Sequence, residues 1–468
     1  MNRTDIAYLS ATELSRLIRS KEISPVELTE LYLDRIDNLD FQYNSYLTVT
    51  HEEALLAAQR AEQEIARGKY KGPMHGLPVA VKDQFWTKGV RTTGASRILM
   101  DFIPDEDANV IANLKKSGAV ILGKTNMTEF AITGFSHRFS TPRNPWNINM
   151  YAGGSSSGSA AATAGYLCST SLGEDTGGSI RFPASWCGLV GHRPTWGLVS
   201  RHGVMPGVWS MDTVGPISRT VEDAALTLGA ISGYDVRDRF SFDRPVPNFQ
   251  ADLTGDIKGI KVGVVKEQLF NELVEPEVRS VVSTAIDKLT NLGASVEEVS
   301  IPLSNDAAVI SGVLLGVEPA INQKQWVRDH IKEYGHDNRI GLLTGSIVPA
   351  QAYYKAQQLR NVLRNQVLET LETYDVLVLP TSGKTAQPVV EDPPITGKDT
   401  VGRLQFLLTR LFNLSNAPAV TVPCGFDATG LPIGLQIGGC PGGDSLVLRV
   451  AHAYEQNTQW HKMKPQSA

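Results

Sequence analysis

Cysteine is scarce: there are four in 468 residues. Cys168, Cys187, Cys424 and Cys440 form no C-x-x-C pair, so neither a disulfide scaffold, a zinc site nor a redox dithiol is suggested. A reducing cytoplasm fits that usage. No apolar run reaches 18 residues, so a membrane span is not expected. The start, MNRTDIAYLSATELSRLIRSK, has the pattern of an amphipathic helix, not of a signal peptide. Positive charge is not in excess. With 44 Lys and Arg against 49 Asp and Glu, the net charge is −5, which gives no electrostatic case for nucleic acid or an anionic membrane. No tandem repeat, low-complexity tract or His/Cys/Asp ligand cluster is visible, so no metal and no organic cofactor is expected. Hydrophobic residues at 42% leave room for a large core.

What the chain does have is concentrated between Tyr151 and Arg181, YAGGSSSGSAAATAGYLCSTSLGEDTGGSIR. Gly154-Ser155-Ser156-Ser157-Gly158 and Asp175-Thr176-Gly177-Gly178-Ser179 flank an alanine-rich run. Paired glycines let the backbone turn with φ > 0 and let another group come close. Successive N–H groups in such a turn can aim at one developing negative charge, and a serine at its end is placed to attack. Either cluster alone reads more simply as a flexible loop; two of them around one helix-like run do not. Upstream, His75-Gly76-Leu77-Pro78-Val79-Ala80-Val81-Lys82-Asp83 ends an apolar strand on a lysine. Burial there would disfavour the ammonium form, so the amine could serve as a base. Asp83 is expected to orient Lys82, and Asp212 to be structural.

Two competing motifs carry less weight. Gly123-Lys124-Thr125 lacks the upstream glycine of a phosphate-binding loop. Gly154-x-Ser156-x-Gly158 fits a nucleophile elbow, which would make Ser156 the nucleophile and require a late histidine. The late candidate, His452, sits on an amphipathic pattern and reads as a surface or packing residue.

The periodicities predict alternating helices and strands, hence an α/β layout. Ser24-Pro25-Val26-Glu27 caps an early helix, with proline at its first position. Strands are expected over 78–82, 119–122, 167–172, 260–265, 294–299, 375–380 and 419–423. Helices are expected over 106–116, 157–165 and 276–292 and through most of 304–374. The basic stretch around Arg360 and Arg364 reads as a solvated helix face.

These motifs together resemble the amidase signature family. The resemblance spans nearly the whole chain and is strongest at GLPVAVKD, GKTNMTEFA, GGSSSGSAAA, DTGGSIRFPASWCGLVGHRPT and DTVGP. It implies a large mixed β-sheet core covered by helices on both faces. It also implies a single domain over 1–468, with N-terminal helices over about 1–70 and a variable helical insertion over about 300–375. By resemblance, Ser179 is the nucleophile, Ser155 the bridging serine in a cis peptide and Lys82 the terminal base. The backbone amides of Thr176, Gly177, Gly178 and Ser179 form the oxyanion hole. The 24-residue spacing of the two serines agrees with the family pattern. Arg181 binds a substrate carboxylate or braces the turn through Asp175, with bracing favoured.

Two functions are carried forward. The first is a free-standing amidase acting on a small aryl or alkyl amide, anilide, carbamate or urea, with no nucleic acid or membrane partner and with a homodimer left open. The second is the glutaminase A subunit of a tRNA-dependent amidotransferase. That subunit would need charged groups to hold glutamine, and a partner. The family's glutaminase subunits carry an acid before the late Asn-Leu element. Here the segment reads RLQFLLTRLFNLSN, which makes Phe406 a candidate wall of an apolar pocket and favours the first function.

Overall fold

In a computed structural model the described residues are 3–132, 134, 139–390 and 406–466. Among the described residues thirteen strands form: β1 Tyr46–Val49, β2 Pro78–Lys82, β3 Val120–Thr125, β4 Arg143–Asn144, β5 Asn147–Tyr151, β6 Thr170–Glu174, β7 Val190–Arg193, β8 Val214–Ser218, β9 Lys261–Val265, β10 Ser295–Val299, β11 Val376–Pro380, β12 Ala419–Phe426 and β13 Pro432–Gly439. Eleven of them build one sheet in the order β1-β3-β2-β6-β8-β7-β12-β13-β11-β9-β10. The sheet is mixed. β3, β2 and β6 run parallel, as do β10, β9 and β11, while the strands between these trios pair antiparallel. Every residue of β2, β6, β8 and β11 is buried, which suits continuous apolar or small-residue runs at the centre of a covered sheet.

The helix signals behave as local chemistry dictates. Ser10 and Ser24 each close a capping box with the glutamate three residues on, and Pro25 opens the helix Pro25–Tyr43. Thr220 caps Val221–Ile231 by accepting from the Asp223 amide. The alanine-rich helix Ser157–Ala164 is buried along its whole length. A side chain at Gly158 would collide with the Ser45 carbonyl and the Asn126 backbone. Residues 304–374 are helical for most of their length, chiefly in Ala307–Asn322, His336–Ser346 and Ala350–Thr373. One expectation there is corrected. Arg360 is buried, and its guanidinium holds Ser210, the Leu414 carbonyl and Asn416, so it bridges elements and does not face solvent.

Among the described residues no helix is long and apolar enough to cross a membrane.

Candidate active site

β2 and β6 are adjacent and parallel, with Val81 opposite Leu172. Their carboxyl ends therefore open at the same edge of the sheet, where open α/β sheets place their sites. Lys82 is the last residue of β2, and Glu174 the last of β6. Lys82 is fully buried. Its Nζ lies 2.7 Å from Ser155 Oγ, 3.3 Å from the Glu174 carbonyl and 3.4 Å from Glu174 Oε2. Burial lowers the lysine pKa, and Glu174 opposes that shift without reversing it. The Gly154–Ser155 peptide is cis.

Glu174 has no role in the sequence-based reading, and it is the main addition to the site. Burial raises its carboxyl to about 7, against the pull of Lys82. Thr176 Oγ1 stands 2.7 Å from Glu174 Oε1 and 2.7 Å from Asp212 Oδ1. One hydroxyl carries one proton, so it can donate to one carboxylate and must accept from the other acid. Asp212 takes the Gly207 and Val208 amides at 2.9 and 2.8 Å, which favours its anion. Burial raises both carboxyls, so the pair favours holding one proton, and a neutral acid beside Lys82 is compatible with a neutral amine. An acid closing a buried strand beside a lysine-ended strand was the available signal, but only the strand order makes them neighbours.

The second serine turn is built around Asp175. Its carboxylate accepts from the amides of Gly178 (2.7 Å) and Ile180 (3.2 Å), from Asn413 (2.7 Å) and from Arg181 Nε and Nη2 (3.1 and 3.0 Å). Arg181 and Arg193 hold this carboxyl far below the usual range despite its burial. Arg181 is fully buried and also donates to the Thr409 carbonyl, Asn413 and Gln436. It braces the turn and is not among the residues that line the cavity. Because Gly178 N–H is taken by Asp175, the amides of Thr176, Gly177 and Ser179 are the ones without a hydrogen bond to a described residue. Ser179 is part-exposed at the cavity wall, and its carbonyl accepts from the Ser156 amide at 3.3 Å, tying the two serine turns together.

The competing motifs fall away on geometry. Ser156 is buried and bonded to the Glu174 backbone, and it lies outside the cavity lining. Lys124 is a buried β3 residue held by the Phe85 carbonyl and Thr92 at 2.7 Å each. Asp83 faces Thr93 and Lys124, not Lys82, because successive strand residues point to opposite faces.

A cavity of ≈ 660 Å³ opens over these groups. Ser155, Ser179 and the Thr176–Gly178 turn line it. Phe182, Trp186 and Phe406 form an aromatic wall, with the Trp186 and Phe406 rings stacked 6.0 Å apart. Arg143, Asp337 and Arg410 line it as well. Leu315 and Pro319 bring the helix Ala307–Asn322 to its rim.

A lysine with a lowered pKa, a serine touching it, a second serine in a turn with amides that have no partner among the described residues and a part-apolar cavity are the parts a hydrolase needs to attack a carbonyl carbon. The chain belongs to the Amidase family, whose model matches residues 27–448, and it is an amidase, a hydrolase of carbon–nitrogen bonds. It is 41% identical over 486 residues to the A subunit of the glutamyl-tRNA(Gln) amidotransferase of Geobacter metallireducens, covering 97% of this chain and 98% of that one. The solved A subunit of the same amidotransferase from Thermotoga maritima is 35% identical, with TM-score 0.81 over 97% of this chain and 95% of that one. A chain solved as a vestigial protein complex that reveals the evolutionary origins of an s-triazine catabolic enzyme is 32% identical, with TM-score 0.89 over 96% of this chain and 98% of that one.

These kinships overturn two expectations. The favoured function, a free-standing hydrolase of small apolar amides, gives way to the amidotransferase alternative, because full-length relatives near 40% identity carry that name. Phe406 does stand in the cavity, but one aromatic wall does not make an apolar pocket when Arg143, Asp337 and Arg410 share the lining. The expectation of a small-molecule substrate without a nucleic acid partner gives way with it. A net charge of −5 argues only against this chain gripping nucleic acid by itself; it says nothing of a complex.

Proposed function

We propose that this chain is the glutaminase A subunit of a tRNA-dependent amidotransferase, releasing ammonia from the glutamine side chain for partner subunits to use. The observation that carries the reading is end-to-end kinship with proteins of that name at 41% identity. The charged groups in the cavity supply what a zwitterionic amino acid needs and an apolar amide does not.

In this reading residues 1–468 act as one catalytic unit. Neutral Lys82 takes a proton from Ser155, which takes one from Ser179 as Ser179 Oγ attacks the amide carbon. The amides of Thr176, Gly177 and Ser179 receive the oxyanion; losing one such donor typically costs about 3 kcal/mol in the transition state. The proton returns through Ser155 to the leaving nitrogen, ammonia departs, and water cleaves the acyl-enzyme with Lys82 again as base. The four cysteines are unpaired thiols, which suits a reducing cytoplasm.

The test is ammonia release from glutamine by purified chain, alone and with the proteins that copurify with it, in the presence of tRNA. Glutamine hydrolysis that rises with the copurified partners is the expected result. No glutamine turnover under either condition would overturn the reading.

A further inference from the structure

Around the nucleophile turn the buried charges do not balance. Lys82, Arg181, Arg193 and Arg410 stand against the carboxyls of Glu174, Asp175 and Asp212. Moving a proton between Lys82 and Glu174 leaves that excess of one positive charge unchanged. Asp175 is already committed to two guanidiniums, Arg181 and Arg193, and to Asn413. Arg410, which opens the short helix Arg410–Ser415, is the cation left over. Its one hydrogen bond among the described residues is from Nη1 to the Gly177 carbonyl, and no carboxylate of a described residue lies within 4 Å of it. Its side chain lines the cavity together with Gly177, Ser179 and Phe406. Its remaining donors are part-exposed at the cavity, where a ligand can reach them. Its planar fork matches a carboxylate.

We infer that Arg410 is a specificity-determining residue that binds a carboxylate on the substrate, so that the site takes amides carrying a free carboxylate a few bonds from the scissile carbonyl. The contact to Gly177, whose own amide faces the oxyanion position, sets that carboxylate close to the reacting carbon. Glutamine belongs to this class, and the inference rests on the glutaminase reading for that member only.

The experiment compares kcat/KM for glutaramate and pentanamide, which differ by the terminal carboxylate in place of a methyl, and adds glutamine. The wild-type chain should prefer glutaramate. Arg410→Gln should reduce the glutaramate-to-pentanamide ratio by about 10- to 100-fold, mainly through KM, as expected for loss of a charge-assisted pair. Arg410→Lys should recover part of it. A melting curve of each variant checks the fold. Where turnover of the isolated chain is too slow to measure, binding of glutaramate to the Ser179→Ala chain by calorimetry gives the same comparison. Equal losses on both substrates, or an unchanged ratio, would show that Arg410 only braces the turn and would overturn the inference. Glutaramate used through Arg410 with glutamine refused would uphold the inference and remove the glutaminase reading. Glutamine hydrolysed with the same KM by wild type and Arg410→Gln would do the reverse.

Discussion

At the scale of single residues the chemistry turns on who holds a proton. In the proposed mechanism Lys82 must be neutral to accept one, and burial is the main force that lowers its pKa. Below its lowered pKa the amine is charged and idle, so acylation should rise with pH through that pKa. Lys82→Ala should slow acylation by about 10²- to 10⁴-fold. Lys82→Arg should be nearly as damaging, since guanidinium cannot give up its proton. An active, pH-insensitive arginine variant would rule out the base role. Glu174 bears on the same limb. When ionised it favours the lysine ammonium, and Glu174→Gln removes that pull while keeping a group that can meet Thr176 and Lys82. The acid limb of the acylation profile should therefore move to lower pH in Glu174→Gln. A limb that stays in place would show that Glu174 does not act on Lys82.

At the scale of elements the site depends on close backbone approach. The helix Ser157–Ala164 lies against the Ser45 carbonyl and the Asn126 backbone at Gly158, so no side chain fits there. Gly158→Ala should cost about 1–3 kcal/mol of stability through overpacking, read as a lower denaturation midpoint. It should also slow acylation, because the helix begins two residues after Ser155. A variant as stable as wild type would mean the helix can retreat without cost. The strand pair works by register. Two adjacent parallel strands, β6 running one residue past the level of Lys82, bring Lys82 and Glu174 together, though 92 positions separate them in the chain.

At the scale of the whole molecule, buried acids knit the ends of the chain to its middle. Asp223 accepts from Thr12 (2.8 Å to its amide), and Glu455 accepts from the Val221 amide (2.9 Å), joining the helix Ala11–Ser20, the helix Val221–Ile231 and the helix Asp444–Gln456. Glu455 is raised to about 8 by burial, with His452 the nearest base at 4.0 Å. The folded state then binds more protons than the unfolded chain between the ordinary glutamate pKa and about 8, so this residue makes stability fall as pH rises through that window. Glu455→Gln keeps the acceptor for Val221 and removes the titration. The variant should be more stable than wild type at pH 8, by on the order of 1 kcal/mol or more, and little different at pH 5. Parallel denaturation curves at the two pH values check this; an equal difference at both would place the effect in packing.

Much of this protein was written locally. Serines at helix starts, glycine pairs at turns, the apolar run before Lys82 and the alanines of the buried helix act through neighbours a few positions away, so the strands, the helices, the two serine turns and the family were legible in the sequence. Bracing by Arg181 was legible too, because Asp175 is six residues away. The rest was decided by the tertiary structure. Arg360 carries the pattern of a surface helix, and only packing buries it. Glu174 and Asp212 gain their shared hydroxyl because β6 and the loop before β8 meet. Phe406 suggested an apolar pocket because Arg143 and Asp337 are far from it in the chain, and nothing local showed that Arg410, four residues on, turns into the same cavity. A side chain's type is fixed by the sequence, but its pKa and its ligand depend on desolvation and on charges brought together by folding.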